Sequence, residues 1–516
     1  MSIKTIKFTA HYYYLIFLLL FINACSKPTP EYTIESKVNP YKIAPLTALL
    51  EIKSVEPCIA TVKVLGDTPI EQSFDLISDS LSIPVIGLYP GTINNVVVRL
   101  KYEDKEIIDT IKIQTFDLPN FFPNIKIDKL DRTKMESGMH ACDIHFANHG
   151  KFKSIPMIFD DQGKVRWYLD LSFANMMVSP FQRLKDGTIL MVDRFNIYEF
   201  NMLGKPLKQT TIDSNYGMHH DVVELPNGDL LICVGKRDAY INLDGEEVLS
   251  DSDFIIHFDR KKSKIVKEWD LAKHLDVRRN DLDFLMKGNW LHMNGLSFNP
   301  KDSTIIVSGK NQGLVKISWN DDLKWVLSRK KNWTKAGRNN DGKSIIPFLL
   351  TAKDSYGKTY SNDIQQGDKS APDFDFPCGQ HAPEILPNGN ILVFDNGARR
   401  NIKEEINYSR AVEYQINEDQ KTVTQIWQYG KERGGEFFSL IVSDVDYLPQ
   451  TKNILVTSGD IMTEDDYSAK IVEVDYKTGK EVFEATLFYK SLNGDKSNAW
   501  GQLDKLYRSE RIELKY

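Results

Sequence analysis

The sequence predicts an all-β fold, a six-bladed β-propeller behind a small N-terminal immunoglobulin-like β-sandwich. Two observations carry the propeller. An apolar strand that runs into a Pro/Asn/Gly turn and out again recurs along the C-terminal three-quarters of the chain, and further strands of similar texture fill the intervals between copies. Four-stranded units repeated with variable insertions describe blades whose innermost strands converge on a central channel. The third observation is the different texture of residues 31–117, where alternating runs such as CIATVKVLG (Cys58–Gly66) and NNVVVRLKYEDKEIIDTIKIQTF (Asn94–Phe116) flank the turn LYPGTI. Period-two alternation of this kind builds an antiparallel sandwich of immunoglobulin-like size.

In chain order, Lys4 and Lys7 precede the apolar run YYYLIFLLLFI (Tyr12–Ile22), which ends in Asn23, Ala24 and Cys25. That is a secretory signal too short to be a stable membrane span. Ile22-Asn23-Ala24-Cys25 resembles the lipobox of bacterial lipoproteins, which implies that Cys25 becomes the lipidated first residue. Ser26 resembles the outer-membrane sorting pattern. Residues 1–24 are therefore expected to be a lipoprotein signal peptide and residues 25–30 the lipidated cysteine and a polar tether. The expected location is periplasmic, anchored to the outer membrane of a Gram-negative bacterium, with no membrane contact beyond the lipid. After the sandwich, LPNFFPN (Leu118–Asn124) reads as a linker, and residues 125–516 as the propeller.

Six hairpin phrases mark the blades. They are IPMIFDDQGKVRWYLDL from Ile155, RLKDGTILMVDR from Arg183, HDVVELPNGDLLICVGK from His220, HMNGLSFNPKDSTIIVSGK from His292, HAPEILPNGNILVFDNG from His381 and DYLPQTKNILVTSGD from Asp446. Each joins two β-forming runs through a short turn. Outer strands are read at Ser263–Leu271, Leu314–Leu327, Ala411–Gly430 and Lys470–Phe488.

At 516 residues, with 41% hydrophobic side chains, the chain can bury a propeller core and one smaller domain. A formal charge of −6 without a basic stripe argues against nucleic acid as a partner. Beyond Cys25, Cys58, Cys142, Cys233 and Cys378 fall in different units, so no disulfide framework is legible. Cys378, close before His381, is read as a small buried hydrophobe. Two motifs invite other chemistry. Gly337-Arg-Asn-Asn-Asp-Gly342-Lys343-Ser344 matches the phosphate-loop pattern, but it follows polar NWTKA and meets Pro347, where a buried strand and a helix are required. His140, Cys142, His145 and His149 are spaced like metal ligands, yet strand alternation puts the first two and last two on opposite faces. No metal or cofactor is expected.

Three hairpins carry a histidine at nearly the same phase, His220, His292 and His381 lying six or eight residues before Pro226, Pro300 and Pro387. In a hairpin the start of the first strand and the end of the second share one end, so His220 with Lys236, and His292 with Lys310, occupy one rim. Three stretches of chain thus deliver an imidazole to one place, whereas His219 is expected to face the opposite side of its strand. Histidines converging beside a cation read as a small-molecule pocket.

The runs GMHHDVVELPNGDLLI, NWLHMNGLSFNPKDSTIIVS and GQHAPEILPNGNILVFDNG, followed by YSRAVEYQI and VTQIWQYGKERG, closely resemble the bacterial aryl-sulfate sulfotransferases that work without adenylyl-sulfate donors. The resemblance implies transfer of a sulfuryl group from a phenolic sulfate ester to a phenolic acceptor, in ping-pong fashion through a sulfohistidine. Matched motif by motif, it implies His381 as nucleophile and His220 and His292 as further catalytic residues, His220 exchanging the phenol proton. Asn294 and Lys310 become substrate-binding groups, Lys310 standing where the family has an arginine. Ser443, in the histidine phase before Pro449, is the substitute for a family threonine. The family's close-spaced cysteine pair has no counterpart. Two other readings stand beside this one: a ligand-binding propeller lipoprotein without catalysis, and an aryl-sulfate hydrolase in which water intercepts the sulfohistidine. Substrates aside, a homodimer is the one partner arrangement kept open.

Overall fold

The computed structural model describes residues 31–149, 152–174, 178–251, 253–279, 287–398, 400, 408–463, 467–489 and 504–516. The signal peptide, Cys25 and the tether lie outside them, as does the side chain of His149. Apart from a few short helical turns, the regular structure of the described residues is all strand.

The N-terminal domain is a five-stranded antiparallel sheet between Tyr32 and Gln114. Its spine is the 18-residue strand Thr47–Val64, which pairs along its length with Ile70–Ile86 and changes partner on the other edge, from Tyr32–Val38 to Ile93–Lys101. Alternation in that spine buries Ala48, Leu50, Ile52, Cys58, Ala60, Val62 and Val64 against the remainder of the domain. Arg166 ties this domain to the next. Fully buried, it donates to the carbonyls of Gly87 and Thr68 and to Asp160, with its guanidinium 3.8 Å above the Tyr89 ring.

Beyond it, among the described residues, stand six sheets of four or five strands, antiparallel but for the edge strand Thr351–Ala352 of one of them, and a separate two-stranded hairpin. All six hairpin phrases of the sequence are found, each supplying adjacent strands of one sheet. The innermost strands are Lys505–Ile512, Gln182–Arg183, Tyr216–Glu224, Met293–Asn299, His381–Ile385 and Asp444–Tyr447, taken from the first sheet to the sixth. They form a ring: Gln182 bonds to the Val222 carbonyl, Leu296 donates to Asp221, Asn294 to the Gln380 carbonyl, Tyr447 to Glu384, and Ser443 to the Tyr507 carbonyl. Separate apolar clusters fill the wedges between successive sheets, for example Leu190, Val192, Ile232 and Ile256 between the second and third, and Phe394, Ala411, Val456 and Val472 between the fifth and sixth. This is propeller architecture, stabilised by burial between faces and not by one central core.

The ring is closed twice by strands from the wrong end of the chain. Lys505–Ile512, the last strand, pairs with Met139–His149 as the innermost strand of the first sheet, and Asn124–Leu130 adds a fifth, outer strand to the sixth. Packing around the channel is close. A Cβ on Gly295 would stand 2.6 Å from Pro383 Cδ, and one on Gly459 would overlap the Leu506 carbonyl oxygen at 1.9 Å, so larger residues at either position would force the sheets apart.

The two decoy motifs dissolve in this fold. The segment Gly337–Ser344 is a loop that folds back through a bridge between Lys335 and Ser344 and opens no α-helix. His140 is stacked between Phe159 and Phe483, whereas His145 stacks on Tyr507, so the cluster is divided between two environments. No group of three or more His, Cys, Asp or Glu among the described residues is placed to hold a metal.

Candidate active site

At one end of the channel the phased histidines meet. His220 and His292 lie with ring centroids 5.1 Å apart, edge to face. The charge of Lys310 is felt by His220, His292 and His381 alike, and the Lys310 amide donates to the His292 carbonyl at 3.1 Å. The backbone aims them by a shared device. His220 and His292 have φ of 53° and 49°, Ala382 directly after His381 has 50°, and pairing slips out of register beside each: Met218/Val222, Met293/Gly295 and His381/Glu384. Left-handed backbone costs an L-residue roughly 1–2 kcal/mol, and a bulge turns a side chain out of strand alternation. The same strain at three equivalent places marks the site.

His381 is 5% exposed, and its Nδ1 lies 2.7 Å from Asn396 Oδ1. The Asn396 amide is oriented by its own donors, Nδ2 bonding to the carbonyls of Ser439 at 2.9 Å and Val442 at 3.1 Å. Its oxygen therefore faces the imidazole, so Nδ1 carries the proton and Nε2 keeps a lone pair. Burial, reinforced by the Lys310 charge, pushes the His381 pKa down to about 3. The ring is neutral throughout ordinary pH. It follows that the His381 ring, followed by its NMR signals, should stay uncharged from pH 7 down to 5. Protonation should set in only as pH falls towards the folded pKa; a titration centred near the ordinary histidine value of about 6.5 would show that the ring is solvated.

His220 Nδ1 lies 2.9 Å from His219 Nδ1, leaving Nε2 for a ligand, and burial pushes both rings down, His219 to about 4 and His220 well below its ordinary value. His219 therefore does not face away from its neighbour as alternation implies, because the left-handed turn at His220 breaks the alternation. His292 is held at Nδ1 by the Asn289 side chain at 2.8 Å. Asn294, fully buried, donates to the Gln380 carbonyl and so fixes the strand entering His381. Ser443 is buried with φ of 90°; its hydroxyl donates to Ser439 and accepts from the Gly459 amide, which ties it to the loop seating Asn396. Lys236 shares the rim but is paired with Glu268 at 3.0 Å. Cys378 is buried, donates to the Ala398 carbonyl, and has its thiol pushed up in pKa by burial, unlike a thiolate nucleophile.

The last strand brings residues that the sequence reading left out. Tyr507 donates to the His220 carbonyl at 3.3 Å, and Arg508 pairs with Asp221 at 2.7 Å, while Asp221 also accepts from the Leu296 amide at 2.7 Å. Three innermost strands are thereby fastened beside His220. Further buried carboxyls stand on the innermost strands: Asp444 and Glu510 near Arg508 are raised by burial, Asp444 well above the usual range and Glu510 to about 7, and burial raises Glu384, which accepts from the Tyr447 amide, to about 7. A cavity of about 670 Å³, of small-molecule size, opens onto His219, His220, Tyr507, His145 and Asn289.

The family model described as Arylsulfotransferase (ASST) matches residues 129–495, and that described as Arylsulfotransferase Ig-like domain matches residues 35–116. The chain is 30% identical to "Arylsulfate sulfotransferase AssT" of Escherichia coli O6:H1 (strain CFT073), with 86% of this chain and 88% of that protein covered. It is also 30% identical, over the same shares, to "Arylsulfate sulfotransferase AssT" of Lelliottia amnigena. A solved structure from Bacteroides caccae, of unknown function, aligns at a TM-score of 0.41 and 11% identity over 72% of this chain and 98% of that one, too loosely to inform function.

Proposed function

The chain belongs to the arylsulfotransferase family, and on that premise we propose that it transfers a sulfuryl group from an aryl sulfate to a phenol through a sulfated His381, without a nucleotide sulfate donor. The observation that carries this reading is the Asn396-imposed tautomer, which leaves a neutral, buried Nε2 lone pair among histidines and a cation.

In the first step that lone pair attacks sulfur and forms the N–S bond as the S–O(aryl) bond breaks, its electrons leaving on the phenolate. Lys310 and His292 offset charge that builds on the sulfuryl oxygens in the transition state, while Asn294, its amide donated to the Gln380 carbonyl, keeps the strand of His381 in place. The bound anion counters the Lys310 charge and favours a proton on His220, whose Nε2 protonates the departing phenolate. In the second step an incoming phenol gives its proton back to His220 and takes the sulfuryl group from His381. His219 and Tyr507 hold His220 for both steps. The test is to incubate the protein with 4-nitrophenyl sulfate and a panel of phenols: nitrophenol release matched by aryl sulfate formation supports transfer, release matched by free sulfate supports hydrolysis, and no release removes the catalytic reading. We further propose, from the N-terminal sequence, that Cys25 carries a lipid anchoring the enzyme to the outer membrane.

Lys310→Ala should lower kcat/KM for the donor by roughly 10²-fold or more, the scale of losing one oxyanion-type contact. Lys310→Arg reads the shape of the pocket. Retained or improved turnover means that a planar guanidinium fits, and loss despite preserved charge means that the pocket is built around an ammonium. An alanine variant equal to the parent in steady-state kinetics would make Lys310 a bystander.

A further inference from the structure

The mouth of the cavity carries two guanidiniums that the sulfuryl chemistry does not use. Arg194 and Arg237 are exposed, both line the cavity that opens onto His219 and His220, and each stands 5.8 Å from the ring of Phe195 between them in the packing. Neither forms an ion pair among the described residues. The carboxylates adjacent in sequence, Asp193 and Asp238, and Glu268 on the outer strand of the third sheet are engaged elsewhere. Asp193 accepts from the amides of Phe195 and Asn196 and from the Tyr198 hydroxyl, Glu268 pairs with Lys236, and Asp238 accepts from Asn215. Asp251 also lines the cavity and tempers the positive potential there.

The placement of Arg194 is built in. Its side chain lies along Gly217, where a Cβ would stand 3.1 Å from Nε and 3.4 Å from Cγ, and its carbonyl accepts from the Met218 amide at 2.8 Å. Its charge is felt at His219. Arg194 and Arg237 share one aromatic ring at the mouth of one cavity, where their like charges repel, and guanidinium forks are suited to bind a planar carboxylate or a sulfate.

We infer that Arg194 and Arg237, backed by Phe195, form a second anion subsite at the cavity mouth, so that the preferred aryl substrates carry an acidic substituent, a carboxylate or second sulfate, away from the transferred group. This deepens the aryl-sulfate reading and rests on it.

The experiment compares 4-(sulfooxy)benzoate with its methyl ester as donors, in the parent protein and in the Arg194→Gln/Arg237→Gln double variant. Differences in leaving-group basicity cancel between proteins, so the readout is the change in the ratio of the two kcat/KM values. The double variant should lower the acid-to-ester ratio by about tenfold, the scale of one good charge-assisted contact, and Arg194→Glu/Arg237→Glu should lower it further. A ratio within twofold of the parent in both variants would overturn the subsite. Calorimetric binding of 4-hydroxybenzoate provides an arm independent of turnover: weaker binding in the double variant supports the subsite and unchanged binding refutes it. Loss of all sulfuryl transfer in the parent would count against the proposed function and leave this binding arm to decide the subsite.

Discussion

His381→Ala is expected to lower turnover of any aryl sulfate by on the order of 10⁶-fold, the scale of removing the nucleophile from a catalytic unit whose members act together. The substitution deletes the only atom proposed to bond to sulfur, and the remaining donors then polarise a sulfate that nothing attacks. The fold should survive. The imidazole's partner Asn396 keeps two carbonyl partners of its own, and relaxing the left-handed turn at Ala382 is not demanded by the change. Steady-state kinetics with 4-nitrophenyl sulfate and a phenol, alongside a thermal melt, separate loss of chemistry from loss of structure. Partial rescue by added imidazole would point the same way, since it can refill the space and supply the missing lone pair. A folded variant that retained a tenth of parental activity would remove His381 from the centre of the mechanism.

His220→Ala should cost about 10²- to 10⁴-fold, the range for a general acid-base group, with a distinctive dependence on substrate. In the first step the proton matters in proportion to the basicity of the departing phenolate. The penalty should therefore be small for release of 4-nitrophenolate and large for unsubstituted phenyl sulfate. In the second step the acceptor must lose its proton, so acidic phenols should suffer less than basic ones. A plot of log kcat/KM against leaving-group pKa should accordingly be steeper for the variant than for the parent. Equal slopes would show that His220 holds the site together without moving a proton, a role its contacts with His219 and Tyr507 also permit.

The site was legible where the repeat carried it. The hairpin phrases at His220, His292 and His381 each supply an innermost strand and the one beside it, and the Lys310 rim position follows from hairpin closure alone. What escaped the reading depends on departures from the repeat. Alternation misplaces His219 because the backbone at His220 turns left-handed inside a bulge. Asn396 lies at the end of the phrase that begins at His381, but nothing in that phrase marks it as the partner of the imidazole, and its role depends on two carbonyls of the following blade. Tyr507 and Arg508 belong to a short polar run, KLYRSERI, with no Pro/Asn/Gly turn to mark it as a strand; only ring closure makes it the inner edge of the first sheet.

The central claim is that the sulfuryl group rests on His381 between donor and acceptor. Intact-mass measurement of the protein with excess 4-nitrophenyl sulfate and no phenol, followed by peptide mapping, tests it most directly. The expected result is a gain of one sulfuryl group, located on the peptide containing His381 and discharged when a phenol is added. A sulfuryl group on another residue, or active protein that never gains one while transferring sulfate from donor to acceptor, would contradict the mechanism.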